Sequence, residues 1–190
     1  MARHRHHFRI ARRFVEPSSF VFLDESGART NMTRLYGWSK RGERCTDRTP
    51  HGHWKTFTML SAMRLGGVIR DATVVIDGSI NAPAFVDYVE QCLAPALRPG
   101  DVVVMDNLSA HKAAGVESAI GAAGASVWYL PPYSPDLNPI EKLWSKTKAW
   151  LRRATARDLD SLVVEIAKAL SDVDPSECGN YLASCGYGQK

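Results

Sequence analysis

Short hydrophobic runs alternate with polar, turn-forming stretches through most of the chain, a pattern typical of a mixed α/β protein. Runs bounded by turn residues predict five strands. They cover residues 20–23, 54–63, 68–76, 102–105 and 127–130. Hydrophobic residues at helical spacing predict four helices. They cover residues 83–97, 111–123, 138–153 and 158–170.

The order of these elements predicts how the strands pair. The first three strands follow one another directly and can form antiparallel hairpins, whereas the fourth and fifth each follow a helix and should lie parallel to their neighbours. The sequence therefore predicts an α/β fold with a mixed five-stranded sheet, three antiparallel strands and then two parallel ones, flanked by helices.

The start of the chain differs in character from the rest. Its first thirteen residues contain five arginines and three histidines and no acid. This composition predicts a mobile basic arm over residues 1–19, which either contacts an anionic partner or is a solvated tail, and one ordered domain over residues 20–190.

Composition narrows the class of protein. A length of 190 residues with 45% hydrophobic and 23% charged residues suits one folded domain and excludes wholesale disorder. The net charge of +4 permits a nucleic-acid partner without demanding one. No hydrophobic run is long enough for a membrane span, and the four cysteines contain no C-x-x-C pair, so a reducing cytosol is the default expectation.

Three carboxylates stand at predicted element ends. Asp24 follows the first strand, Asp106 follows the fourth, and Glu141 lies in the first turn of the helix after the fifth. If the first and fourth strands are neighbours, Asp24 and Asp106 lie about 5 Å apart. Such close carboxylates need a cation or a proton between them, and an all-oxygen ligand set favours Mg²⁺ or Mn²⁺.

Each carboxylate also has a purely structural interpretation. Asp24 and Asp106 can be turn residues after strands, and so can Asp77, which we assign to a turn. Asn138, Pro139 and Glu141 resemble a helix N-terminus with Asn138 as the N-cap and Glu141 at the third position. The residue pattern alone leaves both interpretations open.

Longer motifs carry a family resemblance. The stretch Met105-Asp106-Asn107, His111 further on, and the block from Tyr129 to Glu141 resemble the catalytic core of DDE-type transposases, nearest the mariner-like bacterial insertion sequences of the group numbered six-thirty. The 34 residues between Asp106 and Glu141 match that group's spacing. Three further segments match the family. Phe22–Gly27 spans the end of the first predicted strand, Tyr36-Gly37-Trp38 lies downstream of it, and Glu177–Tyr181 lies near the C-terminus.

The resemblance implies a ribonuclease H-like fold and metal-dependent DNA strand cleavage and transfer. It implies that Asp24, Asp106 and Glu141 hold two Mg²⁺ or Mn²⁺ ions for phosphoryl transfer. Asn107 and His111 match positions near the site and are assigned supporting roles, although His111 can equally be an ordinary histidine at a helix start. Transposon ends and target DNA are the implied partners, bound by a homo-oligomer in the bacterial cytoplasm at the nucleoid.

Basic residues on the last catalytic helix predict a DNA contact. Glu141, Ser145, Lys148 and Arg152 share one face at helical spacing, beside a predicted buried stripe. The candidate phosphate contacts are Lys142, Lys146, Lys148, Arg152 and Arg153. The alternative is a solvated basic face, and Trp144 and Trp150 are assigned to packing.

One departure from the family pattern bears on function. Full transposases of this family carry a helix-turn-helix domain ahead of the catalytic core, and this sequence shows none. The chain is then expected to be one of two things. It is either the product of the second reading frame of a two-frame insertion sequence, whose upstream product carries the helix-turn-helix, or a truncated remnant of a transposase. The competing functions are therefore an inactive fragment that only binds DNA or other proteins, and a ribonuclease H-like nuclease of another type.

Overall fold

The computed structural model describes residues 2–48 and 50–188. Its strands are β1 (Phe20–Arg29), β2 (Thr56–Arg64), β3 (Gly67–Asp77), β4 (Val102–Met105) and β5 (Ser126–Tyr129). Its α-helices are α1 (Ala2–Ala11), α2 (Ala82–Tyr88), α3 (Ala114–Ala122), α4 (Ile140–Ala154), α5 (Leu159–Ser171) and α6 (Pro175–Ser184). In the part of the chain described, no helix is long and apolar enough to cross a membrane.

The strands form one sheet in the order β3-β2-β1-β4-β5. β1 pairs antiparallel with β2, and β2 pairs antiparallel with β3. β4 pairs parallel with both β1 and β5. The predicted fold class is thus confirmed. The first and fourth strands are neighbours, which is the condition on which the expected meeting of Asp24 and Asp106 depends, and β4, hydrophobic on both faces, lies inside the sheet between β1 and β5.

Hydrophobic side chains cover both faces of this sheet. Phe20, Phe22 and Val104 face one side, where α4, α5 and α6 pack. Val21 and Leu23 face the other side, against α2 and α3. The buried stripe of α4 is the one its periodicity predicts, with Ile140, Leu143, Trp144, Thr147 and Leu151. Alternate residues of β1 and β4 therefore point to opposite layers, which decides where the polar residues that follow must point.

The first strand is longer than predicted. β1 continues to Arg29 because β2 pairs with it from Val21 to Arg29. β4 pairs only with Phe20, Val21 and Phe22. Asp24 therefore lies inside a strand and does not end one, so that part of the prediction is wrong. Polar residues are tolerated there because this part of β1 projects beyond β4 and lines a cleft.

The helix predicted over residues 83–97 is interrupted. α2 ends at Tyr88, a π-helical turn covers Val89–Leu93, and a 3-10 turn covers Ala94–Ala96. Pro95 has no N–H to donate, so regular hydrogen bonding cannot continue through it. The helix predicted from residue 111 likewise begins later, at Ala114, after a 3-10 turn over Ala110–Lys112.

The N-terminal segment is helical and packed where the sequence predicts a mobile arm. α1 buries Phe8, whose ring meets Trp128 edge-on with centroids 6.0 Å apart. Arg12 donates to the carbonyl oxygen of Cys185 at 2.8 Å and lies over the ring of Tyr187. Both contacts are with residues far away in sequence, so the basic composition of the segment could not show that it docks on the domain.

Candidate active site

Asp24 and Asp106 leave the sheet side by side. β1 and β4 pair in register from Phe20 with Val102 to Phe22 with Val104, and continuing this register by two residues sets Asp24 opposite Asp106. Both lie on the sheet face that α4 covers. Glu141, in the first turn of α4, reaches the same place, and all three carboxylates line one cleft of about 610 Å³. The structure therefore brings the predicted residues together.

Asp24 is the most buried of the three, with 7% of its surface exposed. Asn138 donates from Nδ2 to its Oδ2 at 3.2 Å, and the backbone N–H of Glu25 donates to its Oδ1 at 2.9 Å. Burial, and then the negative charge of Glu141, raise the pKa of Asp24 to about 8. The site thus holds a carboxylate in surroundings that disfavour its charged form.

Asn138 has a different role from the one predicted. The N-cap of α4 is Pro139, which forms no side-chain cap bond, so the predicted capping arrangement is wrong. The Asn138 side chain instead points at Asp24. Its Oδ1 is buried and accepts no hydrogen bond among the residues described. The position was visible in sequence, but its target was not, because the two residues come together only in the folded sheet.

His111 connects Asp106 to a residue that the sequence analysis missed. Its Nε2 lies 2.8 Å from Glu25 Oε2, and its Nδ1 lies 2.7 Å from Asp106 Oδ1, the latter as an ion-pair contact without good hydrogen-bond alignment. The imidazole is fully buried and stacks near Phe85, with ring centroids 4.4 Å apart. It is therefore more than an ordinary helix-start histidine.

The charge of this histidine follows from its neighbours. Burial lowers the pKa of His111, but the contacts with Asp106 and Glu25 outweigh it and raise the pKa to about 9. Partial burial raises the pKa of Asp106, but its contacts with His111 and with the backbone N–H of Leu108 outweigh this effect and hold the pKa below the usual value. At neutral pH the group is an imidazolium between two carboxylates, so Asp106 stays ionised and turned toward His111.

The His111→Ala substitution is expected to lower the free energy of unfolding at pH 7 by about 3 kcal/mol, because it leaves two carboxylates without their buried partner. Urea denaturation measures this. Since the pKa of His111 is raised, its contribution is complete below pH 6.5 and is lost as the pH rises through about 9. His7→Ala, at an exposed histidine of α1, is the control. Equal midpoints for the two variants would contradict the bridging role.

The site also fits a divalent cation. Within residues 2–48 and 50–188, no three His, Cys, Asp or Glu side chains already form a metal-binding group. Asp106 contacts His111 and Asp24 contacts Asn138, and Asp24 lies close enough to Glu141 and Asp106 for their negative charges to raise its pKa. A buried carboxylate near other acids and the unbonded Asn138 Oδ1 are hard oxygen donors of the kind that Mg²⁺ and Mn²⁺ take.

The other predicted residues are distributed around this cleft. Asn107 is exposed and lines it. Lys142 and Arg153 are exposed on α4, and Lys148 and Arg152 are half-buried on it. Lys146 is instead tied to the C-terminal part of the chain, 2.7 Å from Glu177 and 3.1 Å from Asp172. Its ammonium links α4 to α6, which makes Lys146 the weakest of the predicted phosphate contacts. Lys112, which the sequence analysis did not single out, lines the cleft.

The Pro-rich segment that leads to Glu141 is held by the two ends of the chain. Arg5 donates to both carboxylate oxygens of Asp136, at 2.9 and 2.6 Å, and to Ser134 Oγ at 2.8 Å. Tyr187 donates its hydroxyl to the carbonyl oxygen of Leu137 at 2.8 Å. This bidentate contact fixes the orientation of the Asp136 carboxylate and also neutralises its charge. Helix α1 is therefore part of the support of the cleft.

The Arg5→Ala substitution is expected to speed backbone hydrogen exchange in residues 134–138 roughly tenfold, because the segment loses its anchor while the sheet stays intact. Hydrogen exchange with mass spectrometry measures this. Arg3→Ala removes an equally basic, exposed residue of the same helix and should leave exchange unchanged. The charge swap Arg5→Asp with Asp136→Arg should restore protection. If Arg5→Ala leaves the segment as protected as before, the anchor is not needed.

Comparisons with known proteins agree with this geometry. Residues 19–163 match the family model described as DDE superfamily endonuclease. The structure is similar to a Mos1 transposase paired-end complex with the left transposon end, with a TM-score of 0.74 and 18% identity over 99% of this chain and 62% of that one. It is also similar to the catalytic domain of Mos1 mariner transposase, with a TM-score of 0.61 and 16% identity over 99% and 94% of the two chains.

A third similar structure is the Mos1 mariner paired-end complex with Mn, with a TM-score of 0.74 and 17% identity over 96% of this chain and 57% of that one. The chain thus spans about three-fifths of the longer Mos1 chains. A search of curated proteins gives no match. At these identities the likeness establishes the fold, which is the ribonuclease H-like one that the motif resemblance implied.

Proposed function

Because this chain belongs to the DDE superfamily endonuclease family, we propose that it is the catalytic domain of a DNA transposase that cleaves and joins DNA strands by metal-dependent phosphoryl transfer. One observation carries the proposal. Asp24 on β1 and Asp106, directly after β4, lie side by side when the parallel register of the two strands is continued, and Glu141 reaches the same cleft from α4. Retention of all three carboxylates in one cleft argues against a decayed fragment that only binds DNA.

The chain's own residues have distinct tasks in this proposal. Asp24, Asp106 and Glu141 would hold two Mg²⁺ or Mn²⁺ ions, which supply activation of the attacking oxygen and stabilisation of the leaving one. Asn138 orients Asp24, and His111 keeps Asp106 ionised and restrains its rotation. Asn107 lies at the cleft beside them. The attacking group is water in strand cleavage and a DNA 3′-hydroxyl in strand transfer.

The partner in this proposal is DNA, which would lie along the face of α4 that begins at Glu141. Lys142, Lys148, Arg152 and Arg153 would neutralise phosphates there, and Lys112 would do so inside the cleft. We further propose that the chain forms a homo-oligomer on DNA and acts in the cytoplasm at the nucleoid. The product of an upstream reading frame, carrying the helix-turn-helix domain, would recognise the transposon ends. The similar Mos1 complexes with transposon-end DNA support the DNA partner.

Cleavage of a supercoiled plasmid tests the function without knowledge of the transposon ends. The purified chain should nick the plasmid with Mn²⁺ or Mg²⁺, leave 3′-hydroxyl ends and stop when EDTA is added. Plasmid that stays intact at every metal concentration would overturn the proposed activity for this chain. Faster cleavage of the RNA strand in an RNA–DNA hybrid would instead assign it to another class of nuclease.

A further inference from the structure

A second cavity lies at the turn between β2 and β3, at the end of the sheet where β1 begins. We call it the hairpin pocket, and its volume is about 710 Å³. Four charged residues line it, and they are Arg64, Arg70, Asp71 and Arg98. Three of the four are arginines, so the lining carries a surplus of positive charge. None of the roles assigned above uses these residues.

Arg64 is buried although its guanidinium is always charged, with 8% of the residue's surface exposed. Its Nη2 donates to the carbonyl oxygen of Ala96 at 3.0 Å and lies 3.2 Å from Asp101 Oδ2. Its Nη1 is also buried and has no hydrogen-bond partner among the residues described. A buried donor without a partner costs free energy. One arm of this guanidinium therefore lacks an acceptor that a ligand could supply.

A second guanidinium lies close to that of Arg64. Burial lowers the pKa of Arg64, the negative charge of Asp101 acts against this, and the positive charge of Arg98 lowers the pKa further. The backbone N–H of Arg98 donates to Asp101 Oδ2 at 2.8 Å, the same oxygen that faces Arg64. One carboxylate thus serves both arginines, and one positive charge of the pair stays uncompensated. An anion between the two guanidinium groups would remove their repulsion.

The hairpin pocket and the cleft of the three carboxylates involve opposite faces of the sheet. Arg64 pairs with Val21, which packs against α2 and α3, and cross-strand partners share a face. Asp24 lies three residues further along β1, which is about 10 Å, and an odd separation turns its side chain to the face that α4 covers. A ligand of the pocket is therefore distinct from the phosphate that the cleft would attack.

We propose that the hairpin pocket binds a phosphate group through Nη1 of Arg64 and the guanidinium groups of Arg70 and Arg98. Guanidinium forks match the oxygens of a phosphate, which offers several acceptors and more charge than a carboxylate. The exposed Arg98 side chain turns toward the anion and opens the way to the buried Nη1. The cavity is much larger than one phosphate group, so the phosphate can belong to a small molecule or to a DNA backbone.

Isothermal titration calorimetry with inorganic phosphate tests the site, without divalent metal and against a chloride titration of equal ionic strength. The wild type should bind one phosphate per chain. Arg98→Gln should weaken binding at least about tenfold, as loss of one charge-assisted hydrogen bond predicts. Arg98 is exposed and its backbone contact with Asp101 is kept, so the variant should fold. Arg3→Gln, at an exposed arginine of α1, is the matched control and should bind like the wild type.

Arg64→Lys tests the buried group separately. Lysine keeps a positive charge near Asp101 but has no second arm to donate from, so phosphate binding should again fall at least about tenfold. Thermal denaturation without phosphate shows whether this variant folds. If it does not fold, Arg70→Gln takes its place, since Arg70 is exposed and lines the same pocket.

Fluorescence anisotropy of a short labelled DNA duplex, also without metal, identifies the source of the phosphate. If the pocket takes a backbone phosphate, Arg98→Gln weakens duplex binding more than Arg3→Gln does and lowers the slope of log affinity against log salt by about one. If the pocket takes a small molecule, only the calorimetric affinity changes.

The proposal is overturned if Arg98→Gln and Arg3→Gln have equal affinities both for phosphate and for the duplex. This result is independent of the proposed function, because the pocket lies away from the cleft and neither binding measurement involves cleavage. An uncut plasmid in the cleavage assay would overturn the proposed function alone.

Discussion

Replacing Asp106 by asparagine is expected to reduce Mn²⁺-dependent plasmid nicking at least about a thousandfold. The substitution preserves the shape of the side chain and removes the charge of a proposed metal ligand opposite Asp24. It also weakens the ion pair between residue 106 and His111, in which Nδ1 of His111 lies 2.7 Å from Oδ1 of Asp106. The rate of nicking at several Mn²⁺ concentrations measures the effect, and the loss should persist at saturating metal.

Asp77→Asn provides the matched control for this substitution. Asp77 also ends a strand of the sheet, but it lies on the edge strand β3, is exposed, and is not part of the cleft. Nicking by Asp77→Asn should match that of the wild type within about twofold. Nicking by Asp106→Asn at the wild-type rate would show that a contaminating nuclease, or a different group of residues, performs the cleavage.

Replacing Asp24 by asparagine should stabilise the protein in the absence of metal while it abolishes nicking. The pKa of Asp24 rises from 3.8 to about 8 on folding, so between these pH values the folded chain retains a proton that the unfolded chain releases. Wild-type stability therefore falls as the pH rises through this window. Asp24→Asn escapes that loss, and at pH 8 with EDTA it should be more stable by at least about 2 kcal/mol.

Thermal denaturation at pH 5 and pH 8, with and without Mn²⁺, measures this effect. Saturating metal should stabilise the wild type, by about 2.7 kcal/mol at a hundred times its dissociation constant, and should stabilise Asp24→Asn much less. Asp101→Asn is the contrasting control. Asp101 is also buried but pairs with Arg64 at 3.2 Å, so the same substitution there should destabilise. If Asp24→Asn is less stable than the wild type at pH 8 without metal, the folded site does not disfavour the charged form of Asp24.

The parts of the fold that were predicted correctly are those that local pattern determines. β4 has the predicted bounds because an unbroken hydrophobic run between turn residues has few alternatives. The buried stripe of α4 follows from 3.6-residue spacing alone. Connection lengths predicted which strands run antiparallel and which parallel, whereas the placement of β1 beside β4, which brings Asp24 and Asp106 together, was only a condition of the prediction.

The parts that were mispredicted depend on partners far away in sequence. Nothing near Asp24 shows that β2 continues pairing as far as Arg29. Nothing near Glu25 shows that His111 will lie 2.8 Å from it, 86 residues further on. The docking of α1 depends on Asp136, 131 residues from Arg5. Such contacts depend on how the hydrophobic layers pack in the folded chain, so local sequence patterns do not reveal them.

The length of β1 also affects how the cleft adjusts to ions of different size. Asp24 is anchored within a ten-residue strand, paired to β2 opposite Ser61. Asp106 follows the last residue of β4, and Glu141 follows a Pro-rich segment held from outside by Arg5. Of the three proposed ligands, Asp24 is therefore held by strand pairing, whereas Asp106 is held by its contact with His111 and Glu141 stands in the first turn of α4. We expect rotation of the Asp106 and Glu141 side chains to take up differences in ionic radius, so selectivity between Mg²⁺, Mn²⁺ and larger cations would depend on how far the His111 contact and the Arg5 anchor let them turn.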